Sequence, residues 1–223
     1  MCGRFSTSAK GTQILYSEYL EADWPELRDH YDIRPATPVA VLRQRPQHNP
    51  ELVAMKWGLL PHWAKEPKLI YSTFNARAES VEVKPTFSRP FRRSRCLIPA
   101  NGWYEWQQVA RGSKVKWWLH LPDGASFSFA GLWDRWEHEG QVIESCTIIV
   151  GAANQRLSAV HDRMPVIIDP KDYAFWLDPG INAVPPLKEL LQPAPDEWFE
   201  ARRVRNDKQP RDDDATLVEE VVV

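Results

Sequence analysis

Cys2 has the most distinctive chemistry in this sequence, because it directly follows the initiator methionine. Removal of Met1, which a small side chain at position 2 favours, would leave a free α-amine two carbons away from a thiol. An α-amine has a lower pKa than a lysine side chain, so roughly a tenth of it is neutral at pH 7. The neutral amine adds to an aldehyde to give an imine, and the thiol can then close a five-membered thiazolidine ring. The alternative is that Cys2 is a small residue without chemistry.

Three internal segments also collect polar side chains among apolar or aromatic ones. Asn75 can donate and accept hydrogen bonds at once, and Arg77 suits a phosphate; the alternative is a turn with surface charges. Glu105 lies among tryptophan and tyrosine residues, where burial would raise its pKa and make it a proton donor or acceptor; otherwise it is an exposed strand residue. His161 follows a short helical pattern over 154–159 and could carry protons near neutral pH, or merely interact with a helix dipole.

Mostly β-strands must position these residues. Alternating or continuous apolar runs predict strands at 39–42, 51–57, 117–121, 126–133, 146–150 and 165–168. Helical spacing predicts a helix over 11–22, and Asp169-Pro170 is a typical helix start, with another short helix over 186–191. Strands with few long helices between them do not favour a doubly wound parallel sheet. We therefore expect an α+β fold, with a largely antiparallel, barrel-like β-sheet and a few flanking short helices.

The charge is unevenly distributed along the 223 residues, although the net charge is only −2. Residues 211–223 carry a net charge of −4, whereas the stretch from Arg77 to Lys116 has nine Lys or Arg and three Glu. That basic stretch indicates a polyanion-binding surface, or else a solvated basic face. The length suits one domain over 1–207, followed by an acidic, disordered tail over 208–223.

Several classes of protein are disfavoured by the composition. No apolar run is long enough for a membrane span, and three cysteines with no secretory signal indicate a reducing, cytoplasmic setting. The cysteines and histidines show no CxxC or HxxxH spacing, so we expect no metal site. The absence of GxGxxG and GxxxxGK loops predicts no nucleotide cofactor, and no GxSxG elbow is present.

Taken together, five motifs resemble those of one family, in the same order. The sequence is similar to SRAP proteins, the SOS response-associated peptidase family, which are also described as abasic-site processing proteins. The resemblance covers 1–207 and is carried by Met1-Cys2-Gly3-Arg4-Phe5, Trp57-Gly58-Leu59, Asn75-Ala76-Arg77-Ala78-Glu79, Arg95-Cys96-Leu97-Ile98-Pro99 with Gly102 and Glu105-Trp106, and His161-Asp162-Arg163-Met164-Pro165.

The resemblance implies a protein that crosslinks itself to abasic sites in single-stranded DNA through a thiazolidine at Cys2. By similarity, Asn75 helps to hold the sugar and the amine, Glu105 is an acid/base, and His161 assists sugar opening and proton transfer. The family also implies phosphate contacts and an aromatic residue against the bases, which correspond here to Arg4, Arg77, Arg163 and Trp63. Where the family usually has asparagine this chain has Asp32, whose carboxylate would repel a phosphate, so we expect no DNA contact there.

Two other functions stay open on the sequence. The first is a cysteine-type peptidase, with Cys2 as nucleophile and His161 as base, which acts mainly on its own chain by removing Met1. The second is a non-covalent single-strand binder in which Cys2 is incidental. For the favoured function we expect a cytoplasmic monomer that associates with the nucleoid when bound to DNA, possesses no cofactor, and has AP lyase activity through Glu105 and His161.

Overall fold

This computed structural model describes residues 2–20, 24–207 and 210–221, which contain thirteen strands and four short α-helices. The strands are β1 (Phe5–Thr7), β2 (His30–Ile33), β3 (Pro38–Arg43), β4 (Glu51–Trp57), β5 (Asn75–Arg77), β6 (Arg95–Ala100), β7 (Gly102–Ala110), β8 (Ser113–His120), β9 (Phe127–His138), β10 (Gln141–Ala152), β11 (Arg163–Pro165), β12 (Ile167–Ile168) and β13 (Glu200–Val204). The α-helices are α1 (Ala9–Tyr16), α2 (Ser88–Arg93), α3 (Tyr173–Leu177) and α4 (Val184–Glu189).

Five of these strands form a closed ring. The order is β10, β4, β3, β6, β9 and back to β10, and every pairing in the ring is antiparallel except that of β4 with β10. Closure removes the unpaired edges that an open sheet would present. The fold is α+β with a largely antiparallel barrel and a few short flanking helices, as the sequence predicted.

A glycine allows two strands of the barrel to approach closely. Gly131 of β9 lies opposite Cys96 of β6, and a Cβ at Gly131 would come within 2.7 Å of the Cys96 Sγ atom. Glycine is therefore required here by packing. The buried thiol of Cys96 serves as a small apolar side chain.

The second sheet has the order β13-β8-β7-β1-β2 and packs against the barrel. Aromatic rings fill the space between them: Phe5 lies 5.1 Å from Trp57 and 5.6 Å from Phe129, centroid to centroid, in edge-on arrangements. Trp103 packs edge-on against Phe129 at 6.3 Å. Edge-on aromatic pairs contribute beyond the area they bury. This core also contains Cys2, so the packing of aromatic rings fixes the N-terminal segment.

The predicted elements agree with the structure more closely for strands than for helices. The strand at 51–57 has the bounds expected, and β9 and β10 extend beyond the runs predicted for them. The helix expected over 11–22 begins earlier, because the Ser8 hydroxyl accepts from the Gly11 N–H, and it ends at Tyr16. Asp169 caps a helical segment as predicted: the 3₁₀ turn Pro170–Asp172 comes first, and α3 follows directly.

Residues 210–221, which the sequence suggested were disordered, instead pack along the second sheet. The Tyr31 N–H donates to the Asp212 carbonyl at 2.6 Å, and the Val221 N–H donates to the Arg203 carbonyl at 3.0 Å. Leu217 is fully buried, so an apolar side chain holds this acidic segment against the domain. The net charge of the segment gave no indication of that contact. The remaining residues of that predicted tail, 208–209 and 222–223, lie outside the described residues.

Candidate active site

Asn75 contacts Cys2 directly. The Asn75 side-chain amide donates to the Cys2 carbonyl at 2.8 Å. Parallel pairing of β5 with β10 fixes the strand that carries Asn75, and the Trp57 indole N–H donates to the carbonyl of the preceding residue, Phe74, at 2.8 Å. The Asn75 Oδ1 atom is buried and has no hydrogen-bond partner within the described residues. An amide oxygen in that position can accept from an amine or a hydroxyl group beside Cys2.

Strand pairing brings Cys2 close to Glu105. Phe5 of β1 lies opposite Trp103 of β7, and the Tyr104 N–H continues the pairing by donating to the Arg4 carbonyl at 2.9 Å. Because β1 and β7 are antiparallel, the chain leads from Phe5 back to Cys2 in the same direction in which β7 continues from Trp103 to Glu105. Burial raises the pKa of the Cys2 thiol, and the negative charge of Glu105 raises it further.

Glu105 has the electrostatics of a proton-transfer group. Its residue surface is only 3% exposed, and burial raises the pKa of its carboxyl group to about 7. The charge of nearby Asp162 acts in the same direction. A carboxyl group with this pKa is divided between its two protonation states near neutral pH, so it can both accept and donate a proton there. The pKa increase that the aromatic neighbours of Glu105 predicted is confirmed.

His161 is held in one orientation by its own loop. The loop begins with buried Asn154, whose side-chain oxygen accepts from the Leu157 N–H at 2.9 Å, and the 3₁₀ turn Leu157–Ala159 follows. The His161 Nδ1 atom accepts from the Arg163 N–H at 3.0 Å, and its Nε2 atom lies 3.9 Å from a carboxylate oxygen of Glu105. Burial lowers the pKa of His161. The Nδ1 atom also lies 2.9 Å from the Asp162 carboxylate, so both ring nitrogens lie near a carboxylate that can exchange a proton with the ring.

The cleft beside these groups is narrow and mostly apolar. It is lined by Trp103, Glu105, Leu119, Leu157, His161 and Met164. Such a lining explains why the pKa of Glu105 rises, since an apolar surrounding disfavours its charged form. The four residues expected to act together, Cys2, Asn75, Glu105 and His161, thus lie in one neighbourhood, although they come from widely separated parts of the chain.

The three arginines expected to contact phosphates have different surroundings. Arg77 is exposed on β5. Arg163 forms an ion pair with Glu79 at the mouth of the cleft. Arg4 stacks on Trp106, with the guanidinium carbon 5.3 Å from the ring centroid, and lies 3.2 Å from the buried carboxylate of Asp32.

Asp32 has a structural role that its sequence position did not suggest. Its carboxylate accepts from the Arg34 guanidinium at 2.6 Å as well as pairing with Arg4. A buried carboxylate requires compensating cations, and these two arginines supply them. Asp32 therefore neutralises and orients neighbouring arginines.

An exposed aromatic surface lies in the loop before β5. Trp63 is 48% exposed, and its indole N–H donates to the Pro85 carbonyl at 3.4 Å. Ile70 and Tyr71 of the same loop are also exposed. Trp63 was expected here from the sequence, whereas Ile70 and Tyr71 were not. The sequence could have indicated Ile70 and Tyr71, because they are large apolar residues in a segment with no strand or helix periodicity, where burial is not expected.

Fewer cations of the basic stretch between Arg77 and Lys116 are available to a polyanion than its charge suggests. Arg95 is buried and donates to four backbone carbonyls, of Phe91, Arg92, Trp176 and Asp178. Lys116 is buried with its ammonium group 4.0 Å from the centroid of the Tyr104 ring. The other cations of the stretch are exposed, at positions 77, 84, 89, 92, 93, 111 and 114. Two of the nine charges therefore serve the fold.

Comparison with known proteins identifies one family. The sequence model described as "SOS response associated peptidase (SRAP)" matches residues 1–208. The abasic site processing protein YoaM of Bacillus subtilis is 34% identical over 98% of both chains, and YedK of Escherichia coli, of the same description, is 30% identical over 82% of both. A crystal structure from Bacteroides thetaiotaomicron superimposes with a TM-score of 0.87 at 25% identity and covers 99% of this chain and all of the other.

No helix in the described parts of the chain has the length and apolar character needed to cross a membrane.

Proposed function

Because the chain belongs to the SOS response associated peptidase family, we propose that it processes abasic sites by forming a covalent bond with them in single-stranded DNA. The group that forms the bond is the aminothiol of Cys2 after Met1 has been removed. Met1 itself lies outside the described residues. The proposal is supported by the proximity of Cys2 to Asn75 and to Glu105, and of Glu105 to His161.

The chemistry is a condensation in two steps. The neutral α-amine of Cys2 attacks the C1 aldehyde of the ring-opened sugar, and the carbinolamine loses water to give an imine. The thiol sulfur then adds to the imine carbon, and its proton is transferred to the nitrogen to complete a thiazolidine. One water molecule is released in total, and no oxidant or reductant is consumed. Ring closure within one residue benefits from proximity and protects the imine from hydrolysis.

Each of the other three residues has a defined task in this scheme. The Asn75 amide fixes the Cys2 carbonyl, and its side-chain oxygen is available to the amine or to a sugar hydroxyl group. Glu105 donates a proton to the departing hydroxyl group of the carbinolamine and regains one from the nitrogen as the imine forms. It then relays the thiol proton, which the raised pKa of Cys2 keeps on sulfur at neutral pH, to the ring nitrogen. His161 carries protons that help to open the sugar ring. The same groups support strand cleavage by β-elimination from the imine, which is a lyase activity.

The cationic and aromatic side chains around the site can bind single-stranded DNA. Arg77 and Arg163 flank the site, and cations that neutralise phosphates provide most of the affinity that does not depend on sequence. Arg4 adds a third cation, held in place by Asp32. Trp63 presents a ring on which a base can stack. We propose that the protein binds its DNA as a monomer in the cytoplasm.

The properties of the Cys2 thiol disfavour a general cysteine peptidase. The thiolate is the nucleophile in such enzymes, whereas burial and Glu105 raise the pKa of the Cys2 thiol. An amine that attacks first and a thiol that attacks second do not need a thiolate in the resting protein. Peptide cleavage is then limited to removal of Met1.

A denaturing gel tests the proposal. The protein is incubated with a single-stranded oligonucleotide that contains one abasic site, and with the intact oligonucleotide of the same sequence. We expect a shifted band that survives heating only with the abasic strand, with at most one adduct per protein, and none with Cys2→Ala. An equal band from Cys2→Ala, or a purified protein whose intact mass includes Met1 and still forms the adduct, would overturn the proposal. Similar affinity for both strands without a stable band would instead indicate a non-covalent binder.

A further inference from the structure

The loop that carries Trp63 is anchored from beneath by side chains of the barrel. The Leu60 N–H donates to the Ser145 hydroxyl at 2.8 Å, and the Trp136 indole N–H donates to the Ala64 carbonyl at 2.7 Å. The Ala64 N–H also closes a turn onto the Pro61 carbonyl at 2.9 Å. The loop is therefore fixed on both sides of Trp63.

Asp134 forms the anchor between these two points. This residue of β9 is 4% exposed, and its Oδ2 atom accepts from the His62 N–H at 2.9 Å and lies 2.8 Å from the His62 Nδ1 atom. The same Nδ1 atom lies 3.2 Å from the Arg89 guanidinium. The Asp134 Oδ1 atom accepts from the Arg135 N–H at 3.0 Å and lies 3.4 Å from the Arg89 guanidinium of α2.

The buried carboxylate of Asp134 lies where the loop, the barrel strand β9 and helix α2 meet. A buried carboxylate without partners would be costly, and here every contact is made by a group of the loop, of β9 or of α2. Charge-assisted hydrogen bonds are shorter and stronger than neutral ones. The backbone of His62 is therefore held tightly, and His62 is the immediate neighbour of Trp63.

Trp63 itself has weaker support. The hydrogen bond from its indole to the Pro85 carbonyl is long, at 3.4 Å, and nearly half of the residue is exposed. A ring that is ready to stack on a base requires little further ordering when the strand binds. The position of this ring depends on the backbone at His62, and hence on Asp134.

We propose that Asp134, acting through His62, is a positioning residue that orients Trp63 for the single strand. This inference rests on the proposed function, because it assumes that Trp63 contacts the DNA. It assigns no contact with DNA to Asp134, which is buried. The expected consequence is a loss of affinity for the strand without a loss of the chemical step.

The test separates binding from chemistry. The rate of adduct formation is measured against the concentration of a single-stranded oligonucleotide with one abasic site, for Asp134→Asn, His62→Ala, Trp63→Ala and the double variant of Asp134 and Trp63. Loss of one stacked base weakens binding by roughly tenfold, so Trp63→Ala should raise the half-saturating concentration by about that factor. Asp134→Asn and His62→Ala should raise it several-fold and leave the maximal rate unchanged. In the Trp63→Ala background, Asp134→Asn should add almost nothing.

Asp169→Asn is the matched control. The Asp169 carboxylate also accepts from a backbone N–H, that of Lys171, and pairs with the Lys171 ammonium group at 3.0 Å, yet we expect no change in half-saturation. If Asp134→Asn does not fold, as judged by its thermal transition, His62→Ala decides the question because its side chain is partly exposed.

Three results would overturn the inference, and they differ from failure of the proposed function. Effects of Asp134→Asn and Trp63→Ala that multiply in the double variant, or a fall in the maximal rate, would show that Asp134 does not act through Trp63. An unchanged half-saturating concentration in Trp63→Ala would remove the role of that ring in binding, and with it any positioning role. Absence of an adduct with the unsubstituted protein would instead refute the covalent chemistry, and the affinity of the variants for the intact strand would then decide the positioning role in the same way.

Discussion

The side-chain amide of Asn75 donates to the backbone carbonyl of Cys2 across 2.8 Å. This contact joins the short strand β5 to the segment whose first atoms would form the bond with DNA. Fixing that carbonyl limits rotation about the Cys2 backbone and so limits the directions in which the amine can point. Orientation of this kind affects a rate more than an affinity.

Asn75→Ala is expected to slow adduct formation on an abasic strand by about 10- to 100-fold, since small errors in the position of reacting atoms have effects of that order. The affinity for the intact strand should stay within about twofold. Single-turnover kinetics on denaturing gels measures the rate, and fluorescence anisotropy measures the affinity. Asn49→Ala, a change of the same type in an exposed turn, is the control. A parallel loss of rate and affinity would argue against an orienting role.

Glu105 makes the stability of the fold depend on pH. Its pKa is raised from its ordinary value to about 7, so the folded state holds this proton more tightly than the unfolded state does. The contribution of Glu105 to stability therefore decreases as the pH rises through the interval between its unfolded and folded pKa values, and is constant above it.

Glu105→Gln, which keeps a neutral group of the same shape, is expected to be more stable than the unsubstituted protein at pH 8. The difference is at most about 3 kcal/mol and should disappear below about pH 4. Urea unfolding at pH 4, 6 and 8 measures it, and Glu137→Gln on an exposed strand end is the control. The variant should also lose adduct-forming activity. Equal stability at pH 8 would mean that burial does not raise the pKa of Glu105.

The sequence pointed to Cys2, Asn75, Glu105 and His161 through their chemistry and the family motifs, although the strands that carry Asn75 and Glu105, β5 and β7, were not among those predicted. Cys2 was identified by its chemistry alone, and the raised pKa of Glu105 followed from its aromatic neighbours. The barrel was predicted from apolar strands without long helices between them, although its closure through parallel pairing of β4 and β10 depends on contacts that no local pattern contains.

Other features depend on tertiary contacts that composition conceals. Arg95 contributes to a basic stretch, yet it is buried because four carbonyls need its donors. Asp32 was identified only as a carboxylate unfavourable to phosphate, whereas it pairs with Arg4 and Arg34. The anchoring role of Asp134 was not predicted, because its partner His62 is distant in sequence.

Leu217 connects the acidic C-terminal segment to the stability of the whole domain. The side chain is fully buried in a segment whose backbone also bonds to β13 and to Tyr31. Leu217→Ala should lower the free energy of unfolding by about 2–4 kcal/mol, as large-to-small substitutions in a core do. Urea denaturation measures this loss, and Val83→Ala at an exposed position should change stability by less than about 0.5 kcal/mol. Equal, small effects of the two substitutions would mean that residues 210–221 are not part of the cooperative fold.

If Arg163 contacts a phosphate, as proposed, its ion pair with Glu79 limits how much of its charge that phosphate can use. The Glu79 carboxylate is paired with the Arg163 guanidinium, so a phosphate must compete with that carboxylate. Glu79→Gln is expected to increase affinity for a single strand several-fold at low salt. It should also steepen the dependence of log K on log salt by about 0.7, the value for one more neutralised phosphate on a single strand. Arg163→Ala should change both quantities in the opposite direction.

The control for that experiment is Glu137→Gln, which removes a carboxylate from an exposed pair with Arg135 and alters the net charge of the protein by the same amount. Anisotropy titrations between 50 and 300 mM salt, a range of roughly sixfold over which phosphate contacts change affinity strongly, give the slopes. If the two glutamate variants gain affinity equally, the gain comes from net charge alone and Arg163 does not contact a phosphate. A gain confined to Glu79→Gln, and lost when Arg163 is also replaced, would identify Arg163 as the cation that Glu79 restrains.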